Sequence, residues 1–416
     1  MDIKKIITNL FILLFFSTII FYLISKQLIY PTIIPMVKNG VINLFADWSV
    51  IISANICDEK GFDVYFNNPC DQWNRKHVYG KILLYFPYIE NFPKFYFIYI
   101  PIILNLFFLY TVINFFTLQN KIEYLFLFLF ILSAPVILAI ERANIDIVIF
   151  LLVVALSKNK NLIISHLILV FTTITKFYPI SLSIIFLLKK KIELVIINLL
   201  IFLLIVFVIL FFQWQDIIKI YNNQNQFSGS GIYEFSFVGG LNFIKNLNIY
   251  FDNKDYNFIK YSYIFLTLIF PIFITVYLNL KFFLGTTFIS NLFFKNNFEN
   301  RLYILTSAII LVCYFSFSNF FYREIFFLGL IPGILKNKNK IDSKFLNFYF
   351  YILGIKFLIS TIFIYIVTND ILFNLNPFII LTKHCLDFYL ISIIFIIFLS
   401  SLKIFFTKVS YFTNRL

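Results

Sequence analysis

Seven ionisable residues stand where apolar runs give way to polar ones: Asp47, Asp63, Arg142, Asp146, Lys176, Arg323 and Glu324. A charge at the edge of a hydrophobic segment is costly unless it is paired or hydrated, so such groups either line a polar cavity or form ion pairs. Glu141 with Arg142, and Arg323 with Glu324, are the plain ion-pair alternatives. The residue types suit phosphate chemistry. Arg142 and Arg323 offer planar forks of donors, and Lys176 offers a point charge. A carboxylate beside them can act as a general base, taking the proton from an acceptor hydroxyl as a phosphate leaves a sugar carbon. Asp47, in Phe45-Ala46-Asp47-Trp48, is the first candidate for that role; the alternative is a helix cap or loop carboxylate.

Asp47 belongs to the longest polar stretch, residues 26–94, which also holds Asp58, Asp63, Asp71, Cys57, Cys70 and His77. Cys57 and Cys70 would pair if this loop faces an oxidising compartment. No metal site is expected: His77, His166 and His384 are scattered, and neither CxxC nor HExxH occurs. There is no phosphate-cradling glycine motif, and Ser228-Gly229-Ser230-Gly231 reads as a flexible loop.

The elements that must position these groups are membrane helices. The chain is 61% hydrophobic and only 13% charged, well below the ~25% charge of a soluble domain. Apolar runs predict about twelve spans, near 6–25, 95–117, 122–140, 147–156, 161–175, 180–188, 192–212, 261–280, 302–317, 325–335, 345–367 and 386–402. Ten spans remain the alternative if a short pair is re-entrant. The first run is too long, and ends too poorly for cleavage, to read as a signal peptide. Lysine clusters alternate with lysine-poor loops, which puts both termini in the cytoplasm. The loops 26–94 and 213–259 then face outward from a single integral membrane domain, 1–416. Ile34, Val37, Val41 and Leu44 fall at helical spacing and predict an amphipathic helix in the first loop. Asn369, Asp370 and His384 are expected in an outer turn. The net charge of +14 belongs to loops meeting anionic lipid, with no soluble basic domain to bind nucleic acid.

Several short stretches, taken together and in order, carry a resemblance. They are Ala46-Asp47-Trp48, the run from Gly61 through Asp63 and Tyr65 to Cys70-Asp71, then Tyr79-Gly80 and Pro87. They continue with Glu141-Arg142-Ala143-Asn144-Ile145-Asp146, Thr175-Lys176-Phe177-Tyr178-Pro179, and Tyr322-Arg323-Glu324 leading into Ile331-Pro332. The chain resembles the GT-C superfamily of polytopic glycosyltransferases, and within it is most similar to the bacterial polyprenyl-phosphate-mannose-dependent mannosyltransferases. The resemblance implies an inverting transfer, at the outer face of the plasma membrane, of a sugar from a polyprenyl phosphate donor to a lipid- or glycan-linked acceptor. It implies a catalytic carboxylate in the first outer loop, which maps onto Asp47 with Asp63 as competitor, and neither metal nor cofactor. Arg142, Lys176 and Arg323 would hold the lipid phosphate. Asp63, Asn144, Asp146, Tyr178 and Tyr322 would complete substrate binding.

Two other classes compete. A surface-polysaccharide polymerase or ligase would carry a large, Arg-bearing central outer loop, whereas 213–259 contains no Arg. A lipid-linked sugar flippase or transporter would place ionisable groups near mid-span and use broken helices.

Overall fold

The computed structural model describes residues 3–25, 37–38, 41–42, 44–118, 120–188, 192–225, 235–237, 239–240, 242, 257–258, 261–262, 265, 292, 296–316, 321–337, 343–368 and 376–413. Most of the expected span 261–280, the lysine cluster 189–191, the turn at Asn369 and Asp370, and most of the loop 213–259 (Ser228 to Gly231 included) lie outside the described residues.

The protein is a helical, membrane-embedded chain. Its helices are α1 (Ile3–Ser25), α2 (Ala46–Glu59), α3 (Ile100–Ile113), α4 (Lys121–Ile131), α5 (Ala134–Arg142), α6 (Ile145–Lys158), α7 (Leu162–Thr175), α8 (Ile192–Phe212), α9 (Trp214–Asn225), α10 (Phe298–Ser316), α11 (Ile331–Asn337), α12 (Ser343–Thr368) and α13 (Asn376–Thr413). Tighter 3-10 segments run over Lys81–Leu84, Tyr178–Leu188 and Phe321–Leu330, and a π-helical turn over Phe95–Tyr99 leads into α3. Pro101 accounts for that widened turn, because its ring cannot fit over the carbonyl four residues earlier.

Six helices among the described residues are long and apolar enough to cross a membrane: Lys5–Ile24, Phe95–Ile113, Glu193–Phe212, Phe298–Ser316, Leu346–Phe363 and Ile379–Leu402. A seventh arises if α4 and α5 form one bent span. The break between them precedes Pro135, whose missing N–H and bulky ring end a helix. α6, α7 and the Tyr178–Leu188 segment are apolar but shorter.

Two further expectations change. The first-loop amphipathic helix is replaced, at Val37–Lys38 and Val41–Ile42, by a two-residue antiparallel ladder. The intervening Asn39-Gly40 is a hairpin signal that outweighs helical spacing. His384 stands inside α13 and is fully buried, not in an outer turn. Pro377 explains the earlier start, since proline suits the first turn of a helix.

The chain divides into two compact units. The first comprises Met1–Phe115, Val136–Ser183 and Ile197–Ser228; the second comprises Phe116–Pro135, Ile184–Ile196 and Gly229–Leu416. In the first, α1 packs on α3, α3 on α6 and α6 on α7. Lipid gives apolar helices no hydrophobic reason to associate, so polar clasps matter. Asn9 Nδ2 donates to Asn114 Oδ1 at 2.8 Å, and Asn105 Nδ2 donates to the Ile140 carbonyl at 2.9 Å. α2 is not a span. It is buried nearly all round, with Phe45, Trp48, Ile51 and Ile52 packed against Tyr79, Leu83, Ile89, Ala143 and Ile145. In the second unit α10 is the central helix, packed against the Phe321–Leu330 segment, α11 and α13, while α12 packs on α4, α11 and α13. The span within α10 is 78% buried, whereas those of α1 and α8 are 22% buried, which marks the latter pair as lipid-facing.

Candidate functional site

The candidate site lies in the first unit, where three corners of the chain converge. The first corner is the start of α2. Phe45 adopts a left-handed backbone (φ 62), and its N–H donates to the Glu141 carbonyl at 2.9 Å. This docks the first turn of α2, with Asp47 in it, against the end of α5. The second corner joins α5 to α6. Ala143 is also left-handed (φ 44), and Asn144 caps α6 by accepting from the Asp146 N–H at 2.9 Å. The sharp turn presents Arg142, Asn144 and Asp146 within five residues. The third corner follows α7, where Lys176 leaves the helix in extended backbone and Tyr178 opens the next segment.

Their side chains form one connected network. Arg142 Nη2 donates to Asp47 Oδ1 at 2.5 Å, and Asn144 Nδ2 donates to Asp47 Oδ2 at 2.6 Å. Lys176 Nζ donates to Asp146 Oδ1 at 2.6 Å and to Asn144 Oδ1 at 3.4 Å. Tyr178 Oη donates to the same Asp146 oxygen at 2.6 Å. The side chains of Asp47, Arg142 and Lys176 retain 10%, 12% and 10% of their exposure, and Asp146 retains none. The network is thus nearly closed to water, where charge interactions are strong. Burial alone would raise the Asp47 pKa. The Arg142 charge and hydrogen bond, the Asn144 hydrogen bond and the Arg75 charge outweigh it, holding the carboxyl below its usual value.

Arg75, Asp71, Tyr79 and Gly80 complete the site, and sequence reasoning did not assign them roles there. Arg75 forks onto Asp71 (Nη2 to Oδ1 2.8 Å, Nε to Oδ2 3.0 Å) and also donates to the Ala46 carbonyl at 3.0 Å. It therefore braces the turn that carries Asp47. A disulfide between Cys57 and Cys70, with Cα atoms 5.7 Å apart, ties the same loop to the far end of α2. Tyr79 lies under Lys176, whose Nζ is 5.3 Å from the ring centroid. Gly80 makes that approach possible: its N–H donates to the Thr175 carbonyl at 3.0 Å, and a Cβ there would fall 1.6 Å from the Ile174 oxygen. Nothing in the local sequence marks Arg75, because its partners are set by how the loop returns onto α2. Tyr79-Gly80 could be noticed as a pair, but not which helix end it meets.

Of the expected site residues, Asp47, Arg142, Asn144, Asp146, Lys176 and Tyr178 come together. Asp63 is engaged elsewhere in the same unit. It pairs at 2.7 Å with Lys219 of α9, with side-chain exposures of 48% and 41%, and so forms a solvated surface pair. Tyr322 and Arg323 belong to the second unit, in the Phe321–Leu330 segment, where Tyr322 is buried and Arg323 is half-buried.

The second unit holds a charge cluster of its own. Glu324, Lys356, Lys383 and Asp387 are all fully buried. Lys356 Nζ lies 2.7 Å from Glu324 Oε1 and 2.5 Å from Asp387 Oδ1. Lys383 Nζ lies 3.0 Å from Asp387 Oδ2 and 3.5 Å from Glu324 Oε1. Ser360 Oγ donates to Glu324 Oε2 at 2.9 Å. Glu324 thus pairs with lysines from α12 and α13. The signal was present: a lysine in the middle of the apolar run 345–367 needs a buried partner.

No protein-family model matches the chain, and neither does any curated protein or solved structure. Among the described residues, no three His, Cys, Asp or Glu side chains group as metal ligands.

Proposed function

We propose that the protein is a membrane glycosyltransferase. It takes a hexose, mannose being the first choice, from a polyprenyl phosphate donor to a lipid- or glycan-linked acceptor, with inversion, at the outer face of the plasma membrane. About twelve spans with both termini in the cytoplasm belong to this reading. The observation that supports it is the nearly buried network in which Asp47 stands beside Arg142 while Lys176 stands beside Asp146. A base and two phosphate-binding cations are thereby held within one network, on a unit built partly of membrane helices.

In this mechanism the acceptor hydroxyl gives its proton to Asp47. Its oxygen forms the new bond to the anomeric carbon as the bond from that carbon to the phosphate oxygen breaks. The electron pair leaves with polyprenyl phosphate, whose charge Arg142 and Lys176 stabilise. Asn144, Asp146 and Tyr178 hold Lys176 and the carboxylate in place. Asp63 as a substrate contact, and Tyr322 and Arg323 as donor contacts, are separate proposals. An Arg323→Ala protein with unchanged donor affinity would remove Arg323 from that role.

The test is sugar transfer from a panel of labelled polyprenyl phosphate sugars by the purified protein in lipid, with a membrane extract supplying acceptors. Transfer by the native protein and none by Asp47→Asn is expected. Silence across the panel from folded protein would overturn the reading.

One observation favours the transporter or flippase class instead. Lys356, Lys383 and Asp387 stand inside the apolar spans Leu346–Phe363 and Ile379–Leu402, where ionisable groups often serve transport. Their mutual neutralisation with Glu324 supports a structural clasp over a transport path. Movement of a lipid-linked sugar across vesicles without transfer would decide for the transporter.

A further inference from the structure

A stripe of large apolar side chains is exposed beside the candidate site. Tyr85, Tyr88, Phe92, Phe95 and Tyr99 retain 66%, 73%, 62%, 47% and 54% of their exposure. They recur every three or four residues along a segment that turns through Tyr88 in left-handed backbone (φ 56) and becomes helical from Pro93. The chain here is a series of tight turns, in which Asn91, Phe92 and Phe95 donate to the carbonyls of Tyr88, Ile89 and Phe92, before it enters α3. The opposite positions face inward. Ile89 is fully buried, and Phe86, Tyr96, Phe97 and Ile100 pack against the core around Trp48.

The exposed stripe does not stop at the start of the span. At the next four-residue steps Ile103 and Phe107 are 46% and 60% exposed. Both belong to the candidate span Phe95–Ile113, where an exposed apolar face meets lipid. The covering of the stripe is therefore continuous with the covering of the span. Tyrosine, with an apolar body and a polar tip, suits the layer where acyl chains meet headgroups.

We infer that Tyr85, Tyr88, Phe92, Phe95 and Tyr99 form a wedge seated in the headgroup layer of the bilayer, and that this wedge fixes the depth of the candidate site. The linkage is short and rigid. Trp48, next to Asp47, stacks edge-on to Phe86 with centroids 6.0 Å apart. Its Nε1 donates to the Tyr96 carbonyl at 2.8 Å, and Tyr96 Oη donates to the Pro87 carbonyl at 2.7 Å. Asp47 is thereby hung from the same segment that touches the membrane. A lipid-borne phosphate lies at that depth, so the wedge deepens the proposed function, although its own geometry does not depend on that function.

Nitroxide labels at Tyr88→Cys and Phe92→Cys test it, in a Cys385→Ser background and in vesicles of phosphatidylethanolamine and phosphatidylglycerol. Relative to the same label at Asn67→Cys, a gain in collisions with dissolved oxygen and a loss of collisions with a water-soluble nickel chelate are expected. Water-like accessibility at both positions would overturn the wedge. Should either variant misfold, Tyr85→Cys, 66% exposed and outside the candidate span Phe95–Ile113, gives the same readout. Because no substrate is present, failure of sugar transfer leaves this result standing, and a water-exposed wedge leaves the transfer assay standing.

Discussion

Arg142 occupies the carboxylate it stands beside: its Nη2 bonds Asp47 Oδ1 while Asn144 takes Oδ2. A base held this way is weakened, because the same contacts that keep Asp47 ionised oppose its taking a proton. A donor phosphate reaching Arg142 would draw the guanidinium away and restore basicity. In the proposed mechanism Asp47 and the phosphate would therefore compete for one cation. Asp47→Asn should abolish transfer yet bind polyprenyl phosphate more tightly. Hydrogen bonds to charged groups are worth about 1.5–3 kcal/mol, so a gain of roughly ten- to a hundredfold in affinity is expected. Weaker binding by the variant, measured by fluorescence titration in detergent, would show that Arg142 does not switch partners.

Gly80 is the position least tolerant of a side chain. With a Cβ 1.6 Å from the Ile174 oxygen, even alanine must push the loop off the end of α7. Gly80→Ala should separate Tyr79 from Lys176 and lower the thermal midpoint by the several degrees that ~1–3 kcal/mol of overpacking produces. Thermal unfolding of the purified variant checks this; an unchanged midpoint would mean that the loop yields without cost.

The buried cluster of the second unit should respond to charge balance more than to the loss of any one group. Lys383→Met leaves two carboxylates facing Lys356 alone, and removal of one partner from a buried pair costs about 3–5 kcal/mol. Lys383→Met with Asp387→Leu removes a neutral pair and should recover most of that stability. If the double variant is as unstable as the two single losses summed, the residues act through packing and not through charge.

His77 makes the segment between α2 and α3 acid-sensitive. It is fully buried, and burial pushes its pKa from 6.5 down to about 4, with the nearby Gly80 backbone opposing this only in part. Below about pH 6.5 the unfolded chain takes up a proton that the folded chain refuses until about pH 4. Stability is therefore complete above the upper value and drains as pH falls between the two, by up to about 3 kcal/mol at ~1.4 kcal/mol per unit. His77→Phe should flatten this dependence between the same limits. A native protein equally stable at both limits would exclude it.

Much of the architecture was legible because lipid imposes simple rules. Long apolar runs must be helices, so α1, α3, α8, α10, α12 and α13 follow from hydropathy alone. The corner 141–146 was also readable, since Arg142, Asn144 and Asp146 fall on one turn whatever surrounds them. α6, α7, Tyr178–Leu188 and Phe321–Leu330 gave no such certainty: they are apolar but short, and hydropathy does not distinguish a short span from a buried helix. At Val37–Lys38 and Val41–Ile42 the helical spacing of apolar residues misleads, because Asn39-Gly40 is the stronger signal in the sequence and points to strand pairing.

The sequence by itself determined that this is a helical membrane protein, with carboxylates and cations waiting at the ends of its apolar segments. Tertiary structure decided their partners. Asp47 meets Arg142 across 95 residues, and Asp146 meets Lys176 across 30. Arg75 reaches back 29 residues to brace Ala46, while Asp63 turns to Lys219. Glu324, Lys356, Lys383 and Asp387 neutralise one another from three elements. The reason is physical: a charge in an apolar setting must find a counter-charge, but composition and periodicity do not say which of several lies within 3 Å once the helices have packed.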